Sequence, residues 1–212
     1  TNVHLRFEST FKRRNNDFRL QSRYAYSKAN GTVSQDRTEG SFRWRRKLDV
    51  HWFAQAQTSY LSAKLKGLDH NLEQDLGLGY RLIQTERTSL SLGSGLTWQY
   101  REIVDGGTGH SLFGKVFQDF AFKISPRLEL GEELTANYSP SSRGIRVLSS
   151  GAVQYIDTDV PNYTVALKTF LRGKITETFS LALRYEYEFD NTYVDGSTKA
   201  DQRITTSLGY TF

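Results

Sequence analysis

Neither cysteine nor methionine occurs in this chain of 212 residues, and proline occurs only 3 times. The first two absences exclude disulfides, thiolate metal sites, thiol nucleophiles and haem attachment together. A chain without even an initiator methionine is expected to be processed or trimmed. No signal peptide stands at its start, so compartment has to be argued from the body of the sequence. Long apolar runs are missing as well. With 37% hydrophobic residues and a mean hydropathy of -0.56, no stretch approaches the roughly 18 uninterrupted apolar residues of a membrane-spanning helix. A helical membrane protein is excluded.

Nor is charge of one sign concentrated anywhere. The net charge of +5 comes from 28 Lys and Arg against 23 Asp and Glu, and a nucleic-acid-binding protein of that balance would gather its bases on one face. Here Lys12–Arg14 and Arg45–Lys47 fall where chain reversals are expected and the other charges are scattered, so no nucleic-acid partner is expected. What the sequence does hold is aromatics: 12 Tyr, 13 Phe and 3 Trp, too many and too regularly placed for a disordered chain. Its length suits a single domain over residues 1–212.

Those aromatics sit in a period of two. Phe18, Leu20, Ser22, Tyr24 and Tyr26 alternate with Arg19, Gln21, Arg23 and Ala25, which is the signature of a strand. The same alternation recurs in Leu90–Tyr100 and in Phe179–Phe189, and no segment shows helical spacing or a capping box. The pattern predicts eleven strands, at about 3–12, 17–28, 37–46, 49–61, 71–83, 87–102, 110–124, 127–138, 162–174, 178–190 and 200–212. They are roughly twice the usual soluble length. Their apolar faces end in aromatics, as at Trp52 and Tyr60 or Trp98 and Tyr100, while their other faces carry charge and glycine. An apolar outside and a polar inside is the pattern of an all-β, transmembrane, antiparallel β-barrel of the outer-membrane kind. The soluble alternative is a large half-exposed antiparallel sheet with Tyr and Arg on its wet side.

Connections alternate in the way such barrels require, with short turns at one end and longer loops at the other. The short set is Lys12–Asp17, Arg46–Asp49, Ile83–Arg87, Ile124–Arg127 and Gly173–Thr178; the long set is Lys28–Arg37, Ser62–Asn71, Glu102–Gly109, Ser139–Pro161 and Asn191–Lys199. The short set is expected in the periplasm, with Phe212 at the periplasmic rim. Val147–Asp157 is strand-like, but counting it in the barrel would reverse the alternation, so it is read as part of an outer loop. Eleven strands leave the first one starting at the outer surface, and single-chain barrels have even strand numbers. A barrel of about twelve strands is therefore expected, closed by an upstream strand that this sequence does not include.

The chain ends in Leu208, Gly209, Tyr210, Thr211 and Phe212, and the Leu208, Tyr210, Phe212 pattern resembles the assembly signal read by the outer-membrane barrel insertion machinery. Further matches are Trp52–Ala56, Gly67–Asp69, Asp75–Leu82, Leu92–Leu96 and Thr198–Asp201. In that order they resemble the family named for a salt-induced outer-membrane protein, domain of unknown function 481. The resemblance runs from Leu5 onward; it departs at the start, where the family has a Gly-rich strand, and in a longer segment at Ser141–Asp159. It implies a porin-like barrel in the envelope of a Gram-negative cell, touching outer-membrane lipid, lipopolysaccharide and, during insertion, the barrel assembly machinery. It brings no activity and no catalytic residues.

With the apolar parity outside, the lumen receives Arg19 and Arg23, Arg43 and Arg45, then Glu73, Asp75 and Arg81, then Lys115, Asp119 and Lys123. Further round come Glu129 and Glu133, Lys168 and Arg172, and Arg184, Glu186 and Glu188. So many charges need water, partners or both. The Arg-bearing second and third strands should lie across the ring from the Glu-bearing eighth and tenth. Such rows either form the transverse field of a narrow passive channel for small solutes or ions, or pair into a closed barrel that anchors an unidentified protein partner through its outer loops. Glu132 shares the lipid-facing parity and is expected near a rim or beside a bulge. Catalysis is not expected: His110 and Ser111 point to opposite faces, and His51, on an inward parity, and His70 are far from them. The histidines have no metal-ligand spacing, so neither metal nor cofactor is expected. Gly77, Gly79, Gly93 and Gly95 read as close-packed barrel positions rather than a phosphate loop.

Overall fold

The alternation becomes an antiparallel sheet curled on itself. The structure is a computed structural model, and it describes residues 2–29, 31–104, 107–140, 142–147, 153–158, 161–191 and 200–210. The strands are β1 (Asn2–Arg13), β2 (Asn16–Ala29), β3 (Thr32–Lys47), β4 (Trp52–Ala63), β5 (Leu68–Gln84), β6 (Thr88–Ile103) and β7 (Thr108–Ser125). They continue with β8 (Leu128–Ser139), β9 (Ser142–Val147), β10 (Val153–Thr158), β11 (Asn162–Lys174), β12 (Phe179–Asp190) and β13 (Ala200–Tyr210). Eleven of them form one sheet in the order β1 to β8, then β11, β12 and β13, every neighbour antiparallel. Each ladder satisfies the backbone polar groups of the next strand, which a strand facing lipid requires.

Of the strand-like piece Val147–Asp157, Val147 ends β9 and residues 153–157 belong to β10, two strands that pair with each other apart from the main sheet, while residues 148–152 lie outside the described residues. β8 passes directly to β11, so the eleven-strand count of the main sheet holds. β1 and β13 run in the same direction, and among the described residues no ladder joins them. Side chains nevertheless meet across that seam: Arg6 of β1 reaches Glu186 of β12 at 3.4 Å, and Arg184 of β12 reaches Glu8 of β1 at 3.1 Å.

Three expected long loops are tight. β2 continues to Ala29 and β3 starts at Thr32, with a bulge at Ser27 and Lys28 and with Gly31 at φ 82° in the turn. β4 reaches Ala63 and β5 resumes at Leu68 after a 3₁₀ turn at Lys64–Lys66 and Gly67 at φ 73°. β6 ends at Ile103 and β7 begins at Thr108. The reason is that a ladder runs on backbone hydrogen bonds, so it continues through polar residues after the apolar alternation has stopped. At the other end Arg14, at φ 52°, closes a two-residue hairpin into β2.

Burial is inverted relative to a soluble domain. Among the described residues 6 apolar residues are buried against 12 polar or charged ones, while Ile204 is 72% exposed and Leu76 68%. A continuous apolar face in water is unfavourable by about 25 cal/mol per Å²; in lipid that penalty vanishes. Aromatic girdles bound the face: Phe11, Phe18 and Phe42 stack at 6.2 Å spacing and Trp52 meets Tyr80 at 5.0 Å at the short-turn end. Trp98, Tyr100 and His110 cluster at the loop end. Trp52 to Tyr60 spans about 27 Å along the strand at ~3.4 Å per residue, or about 21 Å along the axis at ~40° tilt, close to the apolar height of a transmembrane barrel.

Candidate functional site

The interior face carries the chemistry. At the loop end Arg101 of β6 pairs with Asp190 of β12 at 2.6 Å, and Arg37 of β3 pairs with Glu188 at 2.7 Å and Asp201 at 3.1 Å. At mid-height Glu186, 2% exposed, gathers four arginines: Arg23 at 2.7 Å, Arg203 at 3.3 Å, Arg6 at 3.4 Å and Arg184 at 3.8 Å. Across the wall Lys115 binds Asp75 at 2.7 Å, and Thr97 also donates to that carboxylate. Nearer the short turns Arg19 of β2 bridges to Glu133 of β8 and to Glu8 at 2.8 Å. Arg45 of β3 donates to Asp119 of β7 at 2.7 Å and to Gln55 at 2.5 Å.

The charge rows read from the sequence therefore touch. Arg19 meets the eighth strand and Arg23 the tenth of the sheet, β12, which Arg37, absent from the rows read from the sequence, also meets. Arg43 is less engaged: it lies 3.7 Å from Asp119 and has no hydrogen bond among the described residues. Lys168, between Glu133 and Glu186 in the register, makes no ion pair among them. Arg81 sits at the short-turn mouth, donating to the Val50 carbonyl at 3.3 Å, and lines neither interior cavity. Glu129 is half-buried opposite Lys123 and Arg172 in the register and also lines neither.

Aromatic residues fill the opposite part of the wall, and sequence reasoning placed none of them inside. Phe53, 0% exposed, Phe113 and Phe117 face inward. Phe53 lies over its cross-strand partner Gly79, Phe117 over Gly93 and Phe170 over Gly131. A Cβ at Gly79, Gly93 or Gly131 would stand 2.1 Å from the partner ring, so these glycines exist for close approach. Arg45 stacks over Phe53 at 4.4 Å and Arg172 over Phe170 at 5.3 Å. Sequence reasoning also passed over Arg6, Glu8, Arg37, Glu39, Arg101, Asp190, Asp201 and Arg203. The only signal in the sequence was their shared parity with the residues it did select.

Two cavities follow one another along this interior. The larger, about 300 Å³, occupies the middle and loop end and is lined by cations and carboxylates in equal number. The smaller, about 260 Å³, opens toward the short turns and is lined by Lys12, Asp17 and Arg172 among others. Arg19, Arg43, Arg45 and Glu133 line both and form the junction.

Outside the lumen, Glu132 lies in unbroken register and accepts a hydrogen bond from Gln118 at 3.2 Å. The bulge in the β7–β8 ladder is at Lys123 and Ser125 instead, so the side-chain amide, not a register shift, accommodates the charge. His51 stacks on outward Tyr80 at 5.4 Å rather than pointing inward, because β4 starts only at Trp52. His70 Nδ1 lies 2.7 Å from the Tyr60 hydroxyl, and His110 packs on Trp98 and Tyr100. Among the described residues no cluster of three metal-ligating side chains occurs. Of the terminal pattern, Leu208 is exposed on β13 and Tyr210 pairs through its backbone with Phe179; Phe212 lies outside the described residues.

A family model described as "Protein of unknown function, DUF481" matches residues 1–150 and 148–212. No curated protein matches significantly. Among solved structures, the chain is similar to the outer membrane channel DcaP of Acinetobacter baumannii, with 10% identity and a TM-score of 0.46 over 99% of this chain and 62% of that one. The chain thus spans less than two thirds of that channel's length. It is also similar to the CymD monoaromatic hydrocarbon channel, with 8% identity and TM-score 0.43 over 100% of this chain and 74% of that one. A third is the Pseudomonas putida toluene transporter TodX, with 12% identity and TM-score 0.45 over 100% and 73%.

Proposed function

The chain belongs to the family described as protein of unknown function, DUF481, and because that membership brings no activity with it, we propose a function from the interior itself: a narrow passive channel for small solutes or ions across an outer membrane. The observation that carries it is the pair of charge-lined cavities placed end to end, which share the side chains of Arg19, Arg43, Arg45 and Glu133 among the described residues. Side-chain barriers rearrange with far less disruption than backbone, and hydrated wall charges tune permeation. No catalytic step belongs to this reading. The short turns face the periplasm, the loop end faces lipopolysaccharide, the outward Leu, Phe and Tyr face acyl chains, and Leu208, Tyr210 and Phe212 serve the barrel assembly machinery.

Single-channel recording of the reconstituted chain in a planar bilayer is the test, with discrete conductance steps expected. A second reading is favoured by the ion pairs that cross the lumen at three heights: a closed barrel that anchors a protein partner through its outer loops. A folded chain, identified by its different gel migration before and after boiling, that gives no steps at any voltage would establish the closed barrel and sink the channel.

A further inference from the structure

At the junction between the two cavities guanidiniums outnumber carboxylates. The larger cavity is charge-balanced, yet the residues common to both cavities are three arginines and one carboxylate, Glu133. Arg19 is satisfied there by Glu133 and Glu8, and Arg45 by Asp119 and Gln55. Arg43 has Asp119 at 3.7 Å, Glu133 within electrostatic reach but outside ion-pair distance, and no hydrogen bond among the described residues. A guanidinium has five N–H donors in a planar fork suited to small oxyanions and halides. On the short-turn side Lys12 and Arg172 line the smaller cavity without an ion pair among the described residues, beside the carboxylates Glu8 and Asp17. On the far side, Lys168 lines the larger cavity in the same condition.

We propose that this junction is an anion filter, with Arg43 as the donor that a permeating small anion meets and Arg172 and Lys168 as the cations that pass it in and out. The inference rests on the channel reading and narrows its solute class to small anions such as chloride, phosphate or a short carboxylate. A like-charged cation crossing the same point meets three guanidiniums in a confined, partly dehydrated space, where repulsion is poorly screened.

The experiment is the reversal potential of the reconstituted chain in a KCl gradient. Wild type is expected to prefer chloride over potassium. Arg43→Gln should lower the chloride-to-potassium permeability ratio by about threefold, and Glu133→Gln should raise it, as the sign of the wall charge at a constriction dictates. Arg43→Lys keeps the charge and should keep most of the ratio. Inorganic phosphate added on the short-turn side should reduce chloride current in wild type and less so in Arg43→Gln. Boiling-dependent gel migration checks that each variant is folded, and the phosphate block in wild type tests the filter without any variant. Clear conductance with a preference for potassium, or a ratio unmoved by both substitutions together with no phosphate effect, overturns the anion filter while leaving the channel standing. Absence of conductance in folded wild type overturns both.

Discussion

The two halves of the lumen wall are built by different means. Around the seam, β1 to β3 and β12 to β13 are held to one another by ion pairs centred on Glu186. Across from them, β4 to β7 are held by phenylalanines laid over glycines, with Phe53 and Phe117 6.2 Å apart. The charged half depends on matched partners, because a buried ion is tolerable only while it is paired. The aromatic half depends on missing atoms, because a single methyl would occupy the space of a ring. One wall should thus fail when charge is removed, the other when volume is added.

The largest effect is expected from Glu186→Gln. Four arginines lose the carboxylate they share, at a site only 2% exposed, and removing one partner of a buried pair costs about 3–5 kcal/mol. Urea unfolding in detergent micelles should show this loss, with partial recovery at high chloride concentration. A near-neutral result would mean that water already screens the hub, which would favour an open lumen over a sealed one.

A smaller loss is expected from Gly93→Ala, about 1–3 kcal/mol as overpacking typically costs. The new methyl falls 2.1 Å from Phe117 Cζ, so the ring has to swing toward the cavity that it lines. Combining it with Phe117→Leu should recover much of the loss, a non-additivity that a double-mutant cycle measures directly. Additive losses would show that the ring and the glycine are not coupled, and the contrast between the two walls would fall with them.

That contrast also marks what was legible in the sequence. Parity alone assigns Arg19, Glu133 and Glu186 to the interior, because a charge in lipid is so unfavourable that alternation has a single solution. Phe53 is not legible in that way: it follows Trp52 directly, both residues suit lipid, and only its register partner Gly79 on another strand makes the inward position available. Which arginine meets which carboxylate depends on how far the sheet curls, a long-range property that no local pattern encodes. The ends of strands were hidden for a different reason. Hydropathy marks where the membrane stops, whereas Ser27 pairs with Gln35 and the ladder goes on to Ala29 and Thr32 beyond that point.

The smallest effect is expected outside both walls, in the turn between β3 and β4. The Asp49 carboxylate accepts from the backbone N–H groups of His51 and Trp52, each at 2.7 Å. The Trp52 bond first, then the His51 bond, holds its carboxyl below the usual carboxylate range. A group whose pKa is lower folded than unfolded stabilises above its unfolded value, about 3.9 for aspartate, and that contribution disappears as pH falls through the folded value. Asp49→Ala should therefore lower stability slightly at neutral pH, and the difference from wild type should shrink below about pH 3.9. The carboxylate is fully exposed and in bulk solvent, so the loss should be well below that of Gly93→Ala, and Asp49→Asn, which keeps one acceptor, should lose less still. Paired unfolding curves at neutral and acid pH measure all three. A gap that widened in acid would reverse the sign of the linkage and show that the turn is held by something other than these two bonds, and a loss larger than that of Gly93→Ala would move the weak point of the barrel from its walls to its short-turn rim.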